Sequence, residues 1–240
     1  MKAVVTAGWK DCPHLTPEAI ASMEKEYPEH ELEARRNGAP TLGSGKIYQI
    51  PEEDFVVDDF EIPDHWYRSY GLDVGIRKTA AVWAAHDRDA DIAYFYSEHY
   101  AGDSIPAVHA EAIKARGPWI PGVIDPASRG RSATDGARVV ELYQAAGLDL
   151  DLADNSVEAG VYAVRQRLIA GKLKVFKSLV NWLAEYRLYR RDEKGKVFKP
   201  QKDHAQDAGR YCLMSGLARG KQAQPRRALY ARSGTRVFAG

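Results

Sequence analysis

With only Cys12 and Cys212 among 240 residues, the chain cannot be held by a disulfide framework, and a reducing cytoplasm is its natural setting. It has no apolar run long enough to span a bilayer, so no membrane partner is expected. The amino terminus MKAVVTAGWKDCPHL breaks into polar residues too early for a signal peptide. No Gly-x-Ser-x-Gly elbow or Ser-His-Asp arrangement is present, which leaves acyl chemistry without a nucleophile. The nearest approach to a phosphate loop, Gly43-Ser44-Gly45-Lys46, has Pro40 where Gly is needed and Ile47 where a Ser or Thr would bind the metal. No ATP site is expected. No internal repeat or low-complexity segment stands out.

A one-sided overall charge is also lacking: the formal net charge is +1. The balance is uneven, however. Arg165 to Lys202 holds twelve Lys and Arg against three acids, and six basic residues with no acid follow Gly216. Blocks of this kind suit a polyanion or a solvated face. Hydrophobic and charged fractions of 45% and 28% are those of a globular chain with a sizeable core.

Residues 1–65 read as an incomplete unit. Thr16 and Pro17 open one helix to about Tyr27, and prolines and glycines then punctuate an extended acidic connector. Residues 66–218 read as one α/β domain. Strands are expected at Tyr67–Val74, Thr79–His86, Ile92–Tyr100, Trp119–Ile124 and Leu173–Phe176. Helices are expected over Ile105 to Arg116, from an Asp135 cap to Ala146, from an Asn155-Ser156-Val157-Glu158 capping box to near Gly171, over Leu179–Tyr189 and over His204–Leu217. A charged hairpin over Arg190–Lys199 turns at Lys194-Gly195. Three antiparallel strands followed by alternating helices and strands give a mixed central sheet flanked by helices. Residues 219–240 read as a basic, disordered tail.

Three acidic positions stand out. Asp73 lies in the strand Tyr70-Gly71-Leu72-Asp73-Val74-Gly75 and points opposite to Leu72 and Val74. Its flanking glycines leave room for a ligand or phosphate near the backbone. Asp125 ends an apolar strand before Pro126, where α/β sheets bind ligands. In Asp203-His204-Ala205-Gln206-Asp207-Ala208, His204 and Asp207 share a helix face, while Asp203 with Gln206 reads as an N-cap with its capping-box partner. Taken singly, each is better read as structural: an edge-strand Asp, a turn Asp, first-turn polar residues. Together, Asp73, Asp125, Asp207 and His204 supply hard ligands that suit Mg²⁺ or Mn²⁺ better than zinc. Such a cluster can hold two ions about 3.5–4 Å apart for phosphodiester cleavage.

These motifs, in this order, resemble the carboxy-terminal nuclease domain of the large terminase subunit of tailed phages. The resemblance runs over most of the chain: Gly-x-Asp-x-Gly at 71–75, Ile-Asp-Pro at 124–126, Asn155 to Gly160, Gly171 to Phe176, Trp182 to Arg187, and Asp-His-x-x-Asp-Ala from Asp203. It implies a ribonuclease H-like fold and Mg²⁺- or Mn²⁺-dependent endonuclease activity on concatemeric double-stranded phage DNA. Two ions would bind with DNA present. The metal-binding acids implied are Asp73, Asp125 and Asp207, with His204 as an accessory ligand in preference to Asp203. The implied setting is the host cytoplasm, with the terminase ATPase domain, the small terminase subunit and the portal as partners. Thr6 to Leu15 looks like the end of that ATPase domain, making 1–65 its remnant plus a connector.

DNA would be held by Lys172, Lys174, Lys177, Arg190, Arg191, Lys194, Lys196 and Lys199 through phosphate contacts without sequence readout. Arg129 and Arg131, after Asp125, would position the scissile phosphate. Rival readings are a non-catalytic DNA-binding or motor-docking module, a resolvase or transposase of the same fold, and an actin-like or sugar-kinase phosphotransferase. Asp73-Val74-Gly75 with Thr79 also resembles the phosphate loop of that last group.

Overall fold

The computed structural model describes residues 9, 12–26, 45–75, 77–129, 138–192, 195–199 and 201–223. Helix α1 (Pro17–Glu26) starts as its sequence suggests, with the Ala19 N–H donating to Thr16 Oγ1 at 3.2 Å. The strands are β1 (Val56–Val57), β2 (Tyr67–Val74), β3 (Thr79–Asp87), β4 (Ile92–Ala101), β5 (Gly122–Ile124), β6 (Leu150–Leu152) and β7 (Leu173–Phe176). They form one seven-stranded sheet in the order β1-β7-β4-β3-β2-β5-β6. Only β3 runs against the rest.

Helices α2 (Pro106–Lys114), α3 (Val139–Ala145), α4 (Val157–Ile169), α5 (Val180–Leu188) and α6 (His204–Tyr211) cover the sheet. The two faces of β3 separate two cores, as period-two alternation demands. Ala80, Val82 and Ala84 join Phe95, Val175, Trp182 and Ala208 on the α4, α5 and α6 face. Ala81 and Trp83 join Tyr70, Leu72, Ile113 and Tyr143 on the α2 and α3 face. Tyr70 and Leu72 therefore turn Gly71 and Asp73 towards α6.

The last helix does not run unbroken to Leu217. It widens into a π-helical turn at Cys212–Gly216 and finishes as a short α7 (Leu217–Arg219). The strands β1 and β6, of two and three residues, are too short for a periodic signal, and the sequence does not announce them. Asp135, the expected cap of α3, lies outside the described residues. Ser156 makes no side-chain cap bond to α4. Its own N–H is taken by Asp154 Oδ1 at 2.8 Å, and Glu158 pairs with Arg191 at 2.7 and 2.8 Å. The expected capping box is absent.

Two domain boundaries move. Ile47, Tyr48, Phe55 and Ile62 are buried in the α6-side core, and β1 is an edge of the sheet, so residues 45–65 are part of the domain and not a connector. The tail does not begin at Arg219. Arg219 and Lys221 both reach Asp149, and Lys221 bridges to Arg68; residues 224–240 lie outside the described residues.

A Cβ on Gly71 would stand 2.0 Å from Ala208 O and 2.7 Å from Cys212 N, so α6 lies directly against the β2 backbone. Gly71→Ala should cost about 3 kcal/mol and lower the melting temperature by roughly 10 °C. An unchanged melting curve would mean that α6 does not seat there.

Candidate active site

The parallel strands β2 and β5 pair Leu72 with Ile124. The next residue of each, Asp73 and Asp125, therefore stand side by side where the strands end, with the Asp125 N–H donating to Leu72 O at 3.0 Å. Both are buried, at 8% and 9% exposure. Helix α6 brings His204 and Asp207 to the same end. His204 Nδ1 lies 2.8 Å from Asp73 Oδ2. Burial pushes the Asp73 carboxyl up to about 6, with the negative charges of Asp207 and Asp125 adding to the rise and the His204 hydrogen bond opposing it. His204 is shifted up by its bond to Asp73. Burial also raises Asp207, against the pull of Arg210.

Each carboxylate has an internal partner. Arg210 Nη2 and Nε donate to Asp207 Oδ1 at 3.0 and 3.3 Å. Asp125 Oδ1 accepts the Ala127 N–H at 3.0 Å. Among the described residues, no three His, Cys, Asp or Glu side chains stand close enough to hold one ion as they lie. The residues fit a hard dication in kind: buried oxygen donors, mutually repelling, at the sheet end where ligands bind. Assembling them round an ion requires the side chains to draw closer, and the bonds to Asp207 and Asp125 engage only one oxygen of each carboxylate.

Asp203 does not cap α6 by its side chain; its carboxylate meets Lys199 Nζ. The cap is Glu185 of α5, whose Oε2 accepts the N–H groups of Ala205 and Gln206 at 2.7 and 3.1 Å. Its Oε1 accepts the Tyr100 hydroxyl at 2.7 Å. Gln206 instead donates to Trp182 O at 2.8 Å. The flanking glycines also have a different role from the one expected. Gly71 admits α6, and a Cβ on Gly75 would come 2.6 Å from Lys78 O and 3.4 Å from His204 Cε1.

The basic residues scatter. Lys172 precedes β7 at the opposite end of the sheet from Asp73, beside Ala93, and pairs with Asp91 at 2.7 Å. Lys174 Nζ donates to Asp54 O at 2.9 Å, Lys177 lies 3.7 Å from Asp58, and Arg191 and Lys199 hold Glu158 and Asp203. Arg190 and Lys196 are exposed. Arg129 closes a 3-10 turn after Asp125, but its side chain, Arg131 and Lys194 lie outside the described residues.

No family model matches the chain. It is 35% identical over 218 residues to the large terminase subunit of Enterobacteria phage LP7, which covers 86% of this chain and 45% of that protein. To the large terminase subunit of Salmonella phage P22 it is 35% identical over 215 residues, covering 85% and 42%. It thus spans less than half the length of these curated relatives. The structure of the P22 large terminase nuclease domain superposes with a TM-score of 0.68 at 32% identity, over 76% of this chain and 97% of that domain. The chain belongs to the large terminase nuclease family. Its mixed sheet is the ribonuclease H-like sheet of that family. The nuclease of thermophilic phage G20c, at 12% identity and a TM-score of 0.54 over 70% of this chain and 97% of that one, shares the fold.

The terminase-like motifs acquire physical reasons. Asn155 Oδ1 accepts Arg210 Nη2 at 3.2 Å and the Tyr211 hydroxyl at 3.3 Å. Gly160 makes room for the Arg210 stem, which a Cβ there would meet at 2.6 Å. Trp182 to Arg187 contains both the Gln206 acceptor and the Glu185 cap. Sequence reasoning assigned no role to Arg210 or Glu185; a buried Arg one helical turn after Asp207 and a Glu inside an apolar helix were the available signals.

Glu185→Ala strips two helix N–H groups of their acceptor in a buried place and should cost about 2–4 kcal/mol by urea denaturation. Equal stability of the variant would remove Glu185 as the cap. In EDTA, the contribution of Asp73 to stability should fall as pH rises from about 4 to 6, while the lowered His99 and His109 contribute in the opposite sense. The raised Asp73 favours the folded state fully below its unfolded value near 4 and loses that benefit through about 6. The raised His204 acts in the same sense. Asp73→Asn should flatten this slope, by at most about 3 kcal/mol, in melting curves taken across that range.

Proposed function

We propose that the chain is a divalent-metal-dependent endonuclease that cuts double-stranded DNA concatemers during phage genome packaging. The observation that carries this reading is the meeting of Asp73 and Asp125 at adjacent parallel strand ends, with His204 and Asp207 of α6 beside them. Asp73, Asp125 and Asp207 would hold the ions, Mg²⁺ or Mn²⁺, two of them with DNA bound. Bound there, the ions supply an activated water and stabilise the leaving oxygen of the phosphodiester. The G20c nuclease structures with bound magnesium and with bound cobalt support a divalent requirement.

The chain's own residues set the stage for that step. His204, donating from Nδ1, fixes the Asp73 carboxylate and leaves Nε2 free for an ion or a proton, the accessory role expected of it. Arg210 favours the charged form of Asp207 against its burial and fixes its direction. Burial excludes bulk water from the acids and strengthens their hold on a cation. Within a complete terminase, the ATPase domain, the small subunit and the portal are the partners, in the host cytoplasm.

A second reading, a non-catalytic DNA-binding module, draws support from the internal partner that each carboxylate already has. Plasmid nicking with Mn²⁺, Mg²⁺ or EDTA separates the two. Nicking should require the metal, and Asp73→Asn, Asp125→Asn and Asp207→Asn should each lose more than about 100-fold in rate, near 3 kcal/mol of transition-state stabilisation, with circular dichroism unchanged. DNA binding by the wild type with no metal-dependent nicking would leave the module reading, and cleavage that survives all three substitutions would take the chemistry away from these acids.

A further inference from the structure

We infer that the hollow between Lys46 and the 190–199 hairpin is a second phosphate-binding subsite, which holds the DNA backbone away from the carboxylates. It rests on the nuclease reading above. The cleft has a volume of about 300 Å³, and its lining includes Lys46, Tyr189, Arg190, Phe198, Gln201 and Lys202, with no carboxylate residue among the described residues. A fourth cation at its rim, Arg187, donates from Nε and Nη2 to the two oxygens of Glu52, at 2.7 Å each, and adds no free charge.

The three remaining cations differ from most basic residues around the sheet. Lys172, Lys177, Arg191 and Lys199 are each paired with a carboxylate. Lys46, Arg190 and Lys202 make no salt bridge to a carboxylate among the described residues, with Glu52 near enough only to feel the charge of Lys46, yet they share one concavity. Like charges gathered in a hollow repel one another, and a polyanion backbone supplies the missing counter-charge.

The hollow is also built. The Arg190 N–H donates to Gln201 Oε1 at 3.2 Å, and its carbonyl accepts Gln201 Nε2 at 3.3 Å and the Phe198 N–H at 2.9 Å. Its guanidinium lies over the Phe198 ring, 4.3 Å from the centroid. Stacking fixes the plane of the guanidinium and leaves its N–H edge for a phosphate. Lys46 pairs with Arg190 in an antiparallel bridge, and its Nζ lies 5.2 Å from the centre of the Tyr186 ring. Lys202 stands next to Asp203 and His204, so the hollow adjoins the start of α6. A duplex held at both places presents successive phosphates, one to the cations and one to the acids, by contacts that carry no sequence information.

The test uses the full chain. Fluorescence anisotropy with a labelled short duplex in EDTA gives affinity against salt, and plasmid nicking with Mn²⁺ gives KM and kcat. Lys46→Gln/Lys202→Gln should weaken binding about tenfold and make the slope of log affinity against log salt shallower by about 1.8, two phosphate contacts. Its KM should rise with kcat unchanged. Arg190→Gln should act in the same direction. Arg88→Gln, a cation at the far end of the sheet stacked over Tyr67, should change neither. An unaltered slope and KM in the double variant, with the wild type binding and nicking, would overturn the subsite and leave the nuclease reading standing. Wild-type binding that depends on the cleft without any nicking would keep the subsite and overturn the nuclease. A wild type that neither binds nor nicks overturns both.

Discussion

The seating of α6 on the bare backbone of Gly71 is the contact on which the candidate site depends. A helix normally rests on a sheet through two layers of side chains. Here the Ala208 carbonyl comes within a Cβ's reach of β2, and the small residues Ala80 and Ala84 of β3 and Ala205 and Ala208 of α6 let the layers close. Only that approach brings His204 within hydrogen-bond distance of Asp73, two residues along the strand from Gly71. A helix held at ordinary distance would leave the two groups apart and Asp207 in solvent. The Glu185 cap serves the same end from the other side, since it fixes the first turn of α6 against α5.

The close approach has an electrostatic consequence. Asp73, Asp125 and Asp207 are taken out of water together, and the charges of Asp207 and Asp125 add to the cost that burial sets on ionising Asp73. The fold offsets this with internal donors: His204 on Asp73, Arg210 on Asp207 and a main-chain N–H on Asp125. Arg210 is itself buried at 2% exposure, which is tolerable only with acceptors, and Asn155 supplies one beside Asp207. A bound dication would provide the same compensation more strongly. Asn155 and Gly160, far from the acids in sequence, take part by accommodating Arg210.

Much of this was legible in the residues. Alternation from Tyr67 to Val74 gave both the strand and the face of Asp73, and Asp125 followed from an apolar run stopped by proline. The spacing of His204 and Asp207 placed them on one side of α6. What was not legible depended on partners distant in sequence. Asp203 and Gln206 have the local pattern of a capping box, but Glu185, some twenty residues earlier, takes the N–H groups first. The glycines beside Asp73 read locally as space for a ligand, whereas their neighbours are the backbone of α6 and the Lys78 carbonyl. Short β1 and β6 owe their pairing wholly to the strands beside them, so no periodicity could reveal them.

The same limit governs the basic residues, and it changes which of them can matter for a polyanion. Sequence shows how many cations a stretch carries but not whether each is already neutralised. Along Arg165 to Lys202, several lysines and arginines turn out to be bound to acids contributed by other segments: Asp91 from the β3–β4 turn, Glu158 from α4, Asp58 beside β1. A cation held in this way gives up an existing pair, worth up to about 1 kcal/mol when exposed, before it takes a phosphate, so its net contribution to DNA affinity is reduced. An unpaired cation releases counterions when it binds and contributes in full. Free charge rather than total charge therefore measures what a surface can offer a polyanion, and among the described residues Lys46, Arg190 and Lys202 share such a concavity beside the start of α6.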